Sequence, residues 1–102
     1  MEPLLIVPVV YVLELENEKV YVGITTSLNI RLAQHWTGIG SQWTRLYKPV
    51  KILEVHYDCR NSDEKKITLE WMRKRGWENV RGGGWTKPIM TSPPQELLRD
   101  SA

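Results

Sequence analysis

The pattern of apolar and polar residues in the first quarter of the chain predicts a β-hairpin. Residues 4–15 are rich in valine, leucine and tyrosine, with prolines only near the start, and residues 19–24 form a second, shorter apolar run. The polar residues 16–18 lie between the two runs. This arrangement predicts two antiparallel strands joined by a three-residue connection.

The length of that connection decides which side chains share a face of the sheet. With three residues in the loop, Leu13 faces Tyr21 and Tyr11 faces Gly23, so the two tyrosines point to the same side. A two-residue loop would place them on opposite sides. A joint site containing both tyrosines therefore requires the three-residue loop or another odd one.

A helix and a third strand are predicted after the hairpin. Residues 25–27 carry hydroxyl side chains, which are suited to cap a helix over residues 28–36. In that helix Arg31 and His35 are four residues apart, so they project from the same side. Residues 38–44, with two glycines, are predicted to form a loop. Residues 50–57 alternate as a strand, beginning after a proline.

A second helix is predicted over residues 61–75. The pair Asn61 and Glu64 has the form of a capping box, and Gly76 is expected to end the helix. Glu70 lies inside an apolar stripe made by Ile67, Leu69, Trp71 and Met72. An acid at a core-facing position is costly to bury unless it is paired or binds a metal, so Glu70 is a candidate site residue.

The remaining chain gives weaker indications. Three consecutive glycines at 82–84 permit close backbone approach, but alone they are poor evidence of a phosphate loop. We expect one folded domain over residues 1–87, followed by a proline-containing tail at 88–102 with a helical turn at 95–99.

Composition places the chain among ordinary globular proteins. It has 102 residues, 41% apolar and 25% charged, which suits one domain with one modest core. No apolar run approaches the roughly 18 residues of a membrane span, and residues 1–9 lack the basic start of a signal peptide. We expect a soluble intracellular protein, cytoplasmic or nuclear, with no membrane partner. One cysteine, Cys59, excludes an internal disulfide, and two histidines are too few for an ordinary zinc cluster.

Positive charge is concentrated in the second half of the chain. Residues 1–50 hold four basic and four acidic residues, whereas residues 51–87 hold nine basic and six acidic ones. An excess of lysine and arginine favours a polyanionic partner, because each neutralised phosphate releases condensed counterions. For Lys65, Lys66 and Lys74, a solvated helix face is an equally good interpretation.

Taken together, these motifs resemble the GIY-YIG nuclease family over roughly residues 7–81. Tyr11 matches the tyrosine of the first motif, with Val9 in place of its glycine, and residues 21–23 match the second. Arg31 and His35 match the helix that follows. The glycines at 38 and 40, Trp43-Thr44 and Leu69-Glu70-Trp71 are most similar to the branch of structure-specific endonucleases. The implied fold is α+β, a small three-stranded, mainly antiparallel sheet flanked by helices.

The resemblance also implies a reaction and a role for each site residue. It implies metal-dependent hydrolysis of DNA, duplex or branched, with Mg²⁺ or Mn²⁺ bound by Glu70. Tyr11 would serve as general base with Tyr21 beside the water, and Arg31 would clamp the phosphate. Lys19 and His35 would supply positive potential that lowers the pKa of the tyrosine. The residues expected to contact DNA are Arg31, Asn79, Arg81, Lys65, Lys66 and Arg73.

Two other functions are compatible with the sequence. The chain could be a DNA-binding module of the same fold that does not cleave. It could also be a protein-interaction domain that uses Trp43, Trp77 and Trp85 as exposed anchors. The DNA target, the biological role, and the presence of a homodimer or a partner protein are left open.

Overall fold

The computed structural model describes residues 6–99, and its elements follow the predicted order. The strands are β1 (Val9–Leu15), β2 (Val20–Thr25), β3 (Pro49–His56) and β4 (Val80–Gly82). The helices are α1 (Leu28–Trp36), α2 (Gln42–Leu46), α3 (Asn61–Arg75) and α4 (Gln95–Arg99), with 3₁₀ turns at Glu16–Glu18 and Trp77–Asn79. The first strand is shorter than predicted, and residues 4 and 5 of that prediction lie outside the described residues.

The sheet has four strands in the order β3-β1-β2-β4. The α+β class is confirmed, but the predicted sheet of three strands lacked β4, which pairs parallel to β2 from Val20↔Val80 to Val22↔Gly82. The other two pairings are antiparallel. The parallel strand matters for function because its end, next to β2, borders the candidate site.

The β1–β2 hairpin has the predicted register. Its connection is the three-residue turn Glu16–Glu18, closed by a hydrogen bond from Leu15 N to Lys19 O at 2.8 Å. Tyr11 is paired with Gly23 and Leu13 with Tyr21. The prediction that both tyrosines share one face of the sheet is therefore confirmed.

Each face of the sheet packs against different helices. One face carries valines that pack on α3, and the other carries tyrosines and leucines that pack on α1 and α2. The strand side chains of the first face are Val10, Val12, Val20, Val22 and Val80, and those of the second are Tyr11, Leu13, Leu15 and Tyr21. The alternation along each strand produces both faces from one sequence pattern.

Helix α3 begins and ends where predicted, but its capping differs. The Asp63 carboxylate, rather than that of Glu64, accepts a hydrogen bond from Arg60 N at 2.7 Å. The cap is thus displaced by one residue from the predicted pair of Asn61 and Glu64, which leaves the Glu64 side chain available for another role. The helix ends at Gly76, whose φ of 88° favours glycine.

The segment predicted as a loop over residues 38–44 contains the start of helix α2. Ser41 caps this helix, its hydroxyl accepting a hydrogen bond from Thr44 N at 3.2 Å. Helix α1 has its predicted bounds. This short second helix fixes Trp43 and Thr44 beside the sheet, which the loop prediction could not do.

The tail packs on the domain as far as the structure describes it. The helical turn predicted at residues 95–99 is present as α4, where Leu97 packs against the core and Glu96 forms an ion pair with Lys65 at 2.7 Å. Residues 100–102 of the predicted tail lie outside the described residues. Among residues 6–99, no helix combines the length and apolar character that a bilayer crossing demands.

Candidate active site

Tyr11 and Tyr21 lie side by side on the face of the sheet covered by α1 and α2. Their ring centroids are 6.2 Å apart, and both are buried. Burial raises the pKa of both hydroxyls above the ordinary value, and for Tyr11 the neighbouring Tyr21 raises it further. Both tyrosines are therefore neutral at neutral pH in the free protein.

Arg31 faces both tyrosine hydroxyls from α1. Its positive charge lowers the pKa of both hydroxyls against the larger effect of burial. Arg31 also donates to Gln34 Oε1 at 2.8 Å. The structure thus brings together three of the predicted site residues and provides one cation at their hydroxyl ends.

His35 is fully buried behind Tyr11. Its Nε2 and the Tyr11 hydroxyl are hydrogen-bonded at 2.7 Å, and its Nδ1 and the Thr44 hydroxyl at 2.9 Å. Burial, reinforced by Arg31, lowers the pKa of His35 to about 4. The expectation that His35 supplies positive potential is wrong, because the imidazole is neutral at neutral pH.

Glu64 is the acid that faces this cluster, and the sequence interpretation missed it. Its charge makes a small contribution to the raised pKa of Tyr11 and of Tyr21, so the carboxylate lies within electrostatic range of both hydroxyls. Glu64 is half-buried, and burial raises its own pKa. Two backbone N–H groups, of Gly83 and Ile24, oppose that shift by favouring the ionised form.

The position of Glu64 follows from where the parallel pairing of β2 and β4 ends. The last paired residues are Val22 and Gly82, and the two N–H groups near Glu64 belong to residues just beyond them. A side chain added at Gly82 would overlap Val22 O, and Gly83 has a φ of 56°. Because Gly82 and Gly83 have no side chains, the end of β4 can lie close to β2. The N–H group of Gly83 can then face the Glu64 carboxylate.

Glu70 lies elsewhere, and its predicted place in the apolar stripe is wrong. The residue is exposed and lines a surface depression with Lys66 and Arg73, on the outer side of α3. Of the four side chains one turn away from Glu70, three are the charged Lys66, Arg73 and Lys74, and the fourth is Ile67. Glu64 is followed one turn later by Ile67 and Thr68, neither of which is charged. That difference in neighbours was a signal available in the sequence.

Lys19 and Asn79 pair with each other, away from the tyrosine hydroxyls. Lys19 Nζ donates to Asn79 Oδ1 at 2.6 Å and lies 5.3 Å from the ring centroid of Tyr47. Asn79 Nδ2 donates to Arg75 O at 2.7 Å. Neither Tyr11 nor Tyr21 has a pKa shift caused by Lys19. These bonds link β2 to the end of α3, and the catalytic role of Lys19 and the DNA contact of Asn79 stay predictions.

Arg81 is a buried structural residue and not a DNA contact. Only 2% of it is exposed, and its guanidinium lies 4.4 Å from the ring centroid of Trp43. It donates to backbone carbonyls of five surrounding residues, namely Trp77, Glu78, Val80, Lys87 and Pro88. Burial lowers the pKa of Arg81. The predicted DNA contact is therefore wrong, because its donors are already used to fix the chain after β4.

The other predicted basic contacts are on the surface of α3. Lys65, Lys66 and Arg73 are exposed, and Lys65 is paired with Glu96. A second basic region was missed by the sequence interpretation. Exposed Arg45 and Lys48 line a cavity of about 340 Å³ together with Trp36, next to His35 and Thr44. Side-chain hydrogen bonds and ion pairs of Arg45 and Lys48 are absent from the part of the chain that the structure describes.

The tryptophans proposed as exposed anchors are built into the fold. Trp43 is buried and donates from Nε1 to Val20 O at 3.0 Å. Trp77 and Trp85 are partly buried and pack against the valine face of the core. The expectation of three exposed anchors is wrong.

Only single carboxylates are available to bind a metal at this site. Across residues 6–99 there is no group of three histidine, cysteine, aspartate or glutamate side chains with metal-binding geometry. Glu64 fits an ion that needs one protein ligand, because lysine and arginine partners for its carboxylate are absent within the same range. Mg²⁺ accepts such a site, since it keeps several waters and takes further ligands from substrate phosphate.

Comparisons with known proteins identify similar sequences. A family profile described as the GIY-YIG catalytic domain matches residues 7–77. A UPF0213 protein of Cupriavidus necator is 36% identical over 64 residues, which cover 62% of this chain and 68% of that protein. A UPF0213 protein of Lactococcus lactis subsp. cremoris is 38% identical over 65 residues, covering 63% of each chain. No solved structure matches.

Proposed function

The chain belongs to the GIY-YIG family, and on that premise we propose that it is a metal-dependent DNA endonuclease in which Glu64 binds the divalent ion. The observation that carries this proposal is the position of the Glu64 carboxylate. It is half-buried, without a cationic side-chain partner among the described residues, and within electrostatic range of two tyrosine hydroxyls that Arg31 also influences. Burying such a carboxylate costs free energy unless a cation from outside the chain, such as a metal ion, pairs with it.

Each of the other site residues has a role that phosphodiester hydrolysis needs. The attacking water must lose a proton, and the phosphate gains negative charge that must be stabilised. Tyr11, hydrogen-bonded to a neutral imidazole, is the proposed general base, and Tyr21 orients the water beside it. Arg31 binds the phosphate, and its planar guanidinium can contact two oxygens at once. The bound Mg²⁺ or Mn²⁺ would act as a Lewis acid on the phosphate and lower the pKa of nearby hydroxyl groups.

The basic cavity at Arg45 and Lys48 is a second proposed contact with the DNA backbone. These two cations are exposed and adjacent to Trp36, which is 46% exposed. Lysine and arginine neutralise backbone phosphates, and an exposed aromatic ring can stack on an unpaired base. This surface replaces buried Arg81 as an expected DNA contact, while Asn79, Lys66 and Arg73 stay candidates.

A cleavage assay across DNA structures tests this function. Labelled duplex, flap, branched and single-stranded DNA are incubated with the purified chain and Mg²⁺, Mn²⁺ or EDTA. We expect cleavage of at least one double-stranded or branched form that requires the metal. Salt-sensitive binding without cleavage of any form would contradict the proposal and favour a DNA-binding module that has lost activity.

A further inference from the structure

A chain of hydrogen bonds runs from Tyr11 through His35 and Thr44 to Ser41. Tyr11 Oη is bonded to His35 Nε2 at 2.7 Å, and His35 Nδ1 to Thr44 Oγ1 at 2.9 Å. Thr44 Oγ1 also donates to Ser41 O at 3.2 Å and lies 3.2 Å from Ser41 Oγ, which can donate to it. Every member is buried or partly buried, so bulk water does not readily replace these partners.

The direction of this chain decides what Tyr11 offers to a substrate. Neutral imidazole carries one hydrogen, on either ring nitrogen. If Nε2 is bare, the Tyr11 hydroxyl donates to it, and the oxygen lone pairs of Tyr11 are free to accept from another group. If Nε2 carries the hydrogen, Tyr11 accepts it and points its own hydrogen at the substrate. Only the first arrangement suits a group that takes a proton from water.

The surroundings of Thr44 favour the first arrangement. A carbonyl oxygen can only accept, so the contact with Ser41 O uses the single hydrogen of the Thr44 hydroxyl. Back-bonding of this kind, from a threonine to a carbonyl one turn earlier, is common in helices. The Thr44 oxygen is then left to accept a hydrogen bond from His35 Nδ1.

We propose that Thr44 is a positioning residue that holds His35 with its hydrogen on Nδ1, so that Tyr11 presents a lone pair to the attacking water. The catalytic part of this proposal rests on the proposed nuclease function. A third group that orients a base in this way is a recurrent device for activating nucleophiles.

Gly40 leaves the space that this arrangement needs. A Cβ atom added there would overlap His35 Nδ1 and lie 3.0 Å from Thr44 Oγ1. The backbone therefore packs directly against the His35–Thr44 hydrogen bond. This close contact restricts the imidazole to the orientation in which Nδ1 faces Thr44.

The proton transfers balance through this chain. As the water gives a proton to Tyr11 Oη, Tyr11 passes its own hydrogen to His35 Nε2, and the hydroxide attacks phosphorus. Tyr11 stays neutral, and the imidazolium carries the positive charge while the phosphate gains a negative one. After the leaving oxygen departs with a proton from solvent, His35 returns its extra proton through Tyr11 to water.

Nitrogen NMR of the ring of His35 tests the proposal without any substrate. We expect wild-type protein at neutral pH to show the hydrogen on Nδ1. Thr44→Ser should keep that pattern and cleave DNA at close to the wild-type rate. Thr44→Val should give a mixture of tautomers and lower the single-turnover rate by roughly 10- to 100-fold, the range typical of a lost orienting partner.

The possible outcomes separate this proposal from the proposed function. A wild-type hydrogen on Nε2 would overturn it, even if Thr44→Val failed to fold. An unchanged tautomer in folded Thr44→Val would overturn the role of Thr44. The expected tautomers in a protein that cleaves no DNA would contradict the nuclease function and leave the positioning role of Thr44 in place.

Discussion

The ring of Tyr11 lies directly over Gly23, the residue that faces it across the β1–β2 pair. A Cβ atom at Gly23 would overlap Cζ and Oη of the tyrosine. Gly23, the glycine of the second motif, is thus required by the Tyr11 side chain of the first motif. Only a residue without a side chain leaves room for the Tyr11 hydroxyl to reach His35. This relationship links two motifs that are twelve residues apart in the sequence.

Gly23→Ala should displace Tyr11 and damage both stability and cleavage. Overpacking of this kind typically costs about 1–3 kcal/mol in the free energy of unfolding, which urea denaturation measures. Gly84→Ala is the matched control, because Gly84 is exposed and has open space at its Cβ position. If Gly23→Ala matched this control in stability and in cleavage rate, the close packing of Tyr11 on Gly23 would have no functional importance.

Removal of either tyrosine hydroxyl should slow the reaction more than it affects folding. We expect Tyr11→Phe to lower the single-turnover rate by roughly 10²-fold or more, the scale of a lost general base. It should also cost about 1 kcal/mol in stability, because His35 loses a buried hydrogen bond. Tyr21→Phe should slow cleavage with a smaller effect on stability. Normal cleavage by both variants would make the tyrosines ordinary core residues.

Arg31 should affect the rate at which bound DNA is cleaved, and not only the affinity for DNA. Because it faces both hydroxyls, we expect Arg31→Ala to lower the single-turnover rate at saturating DNA by roughly 10²-fold or more. Arg31→Lys should stay impaired, since lysine keeps the charge but loses the planar fork. The control Lys66→Ala removes an exposed cation and should change only affinity and its salt dependence. Equal behaviour of Arg31→Ala and the control would exclude a phosphate clamp.

Stability should rise with pH across the range in which His35 loses its proton in the unfolded chain. The pKa of His35 is about 4 in the fold and 6.5 ordinarily, so the unfolded state binds more protons between these values. The stabilisation from neutral His35 is complete above pH 6.5 and is lost as the pH falls toward 4. It amounts to about 3 kcal/mol. Urea denaturation should therefore show that the free energy of unfolding changes less between pH 7 and pH 4.5 in His35→Gln than in wild type. An equal change in both proteins would contradict the lowered pKa of His35.

Some of the site could be predicted because short-range geometry determines it. The three-residue loop fixes the register that pairs Tyr11 with Gly23, and helical spacing puts Arg31 and His35 on one side of α1. These relationships depend on counting residues along one hairpin and one helix. The sequence alone was enough for them.

The acid of the site could not be predicted in the same way, because it depends on a displacement of one residue in a helix cap. Glu64 was interpreted as part of the cap and Glu70 as the buried acid, whereas Asp63 makes the cap bond. The position of Glu64 also depends on β4, a strand of three residues that is too short to give a clear pattern. Likewise, burial of Arg81 depends on carbonyls supplied by the chain that follows β4.

The two glutamates of α3 provide the most direct test of the central claim. Glu64→Gln and Glu70→Gln remove the same charge from the same helix, so each serves as the control for the other. Single-turnover cleavage in Mg²⁺, at saturating DNA, should fall by roughly 10³-fold or more for Glu64→Gln, because a lost metal ligand removes charge stabilisation at the phosphate. Glu70→Gln should cleave at the wild-type rate. Loss of cleavage in Glu70→Gln with normal cleavage in Glu64→Gln would contradict the assignment of the metal ligand and, with it, the account of the site.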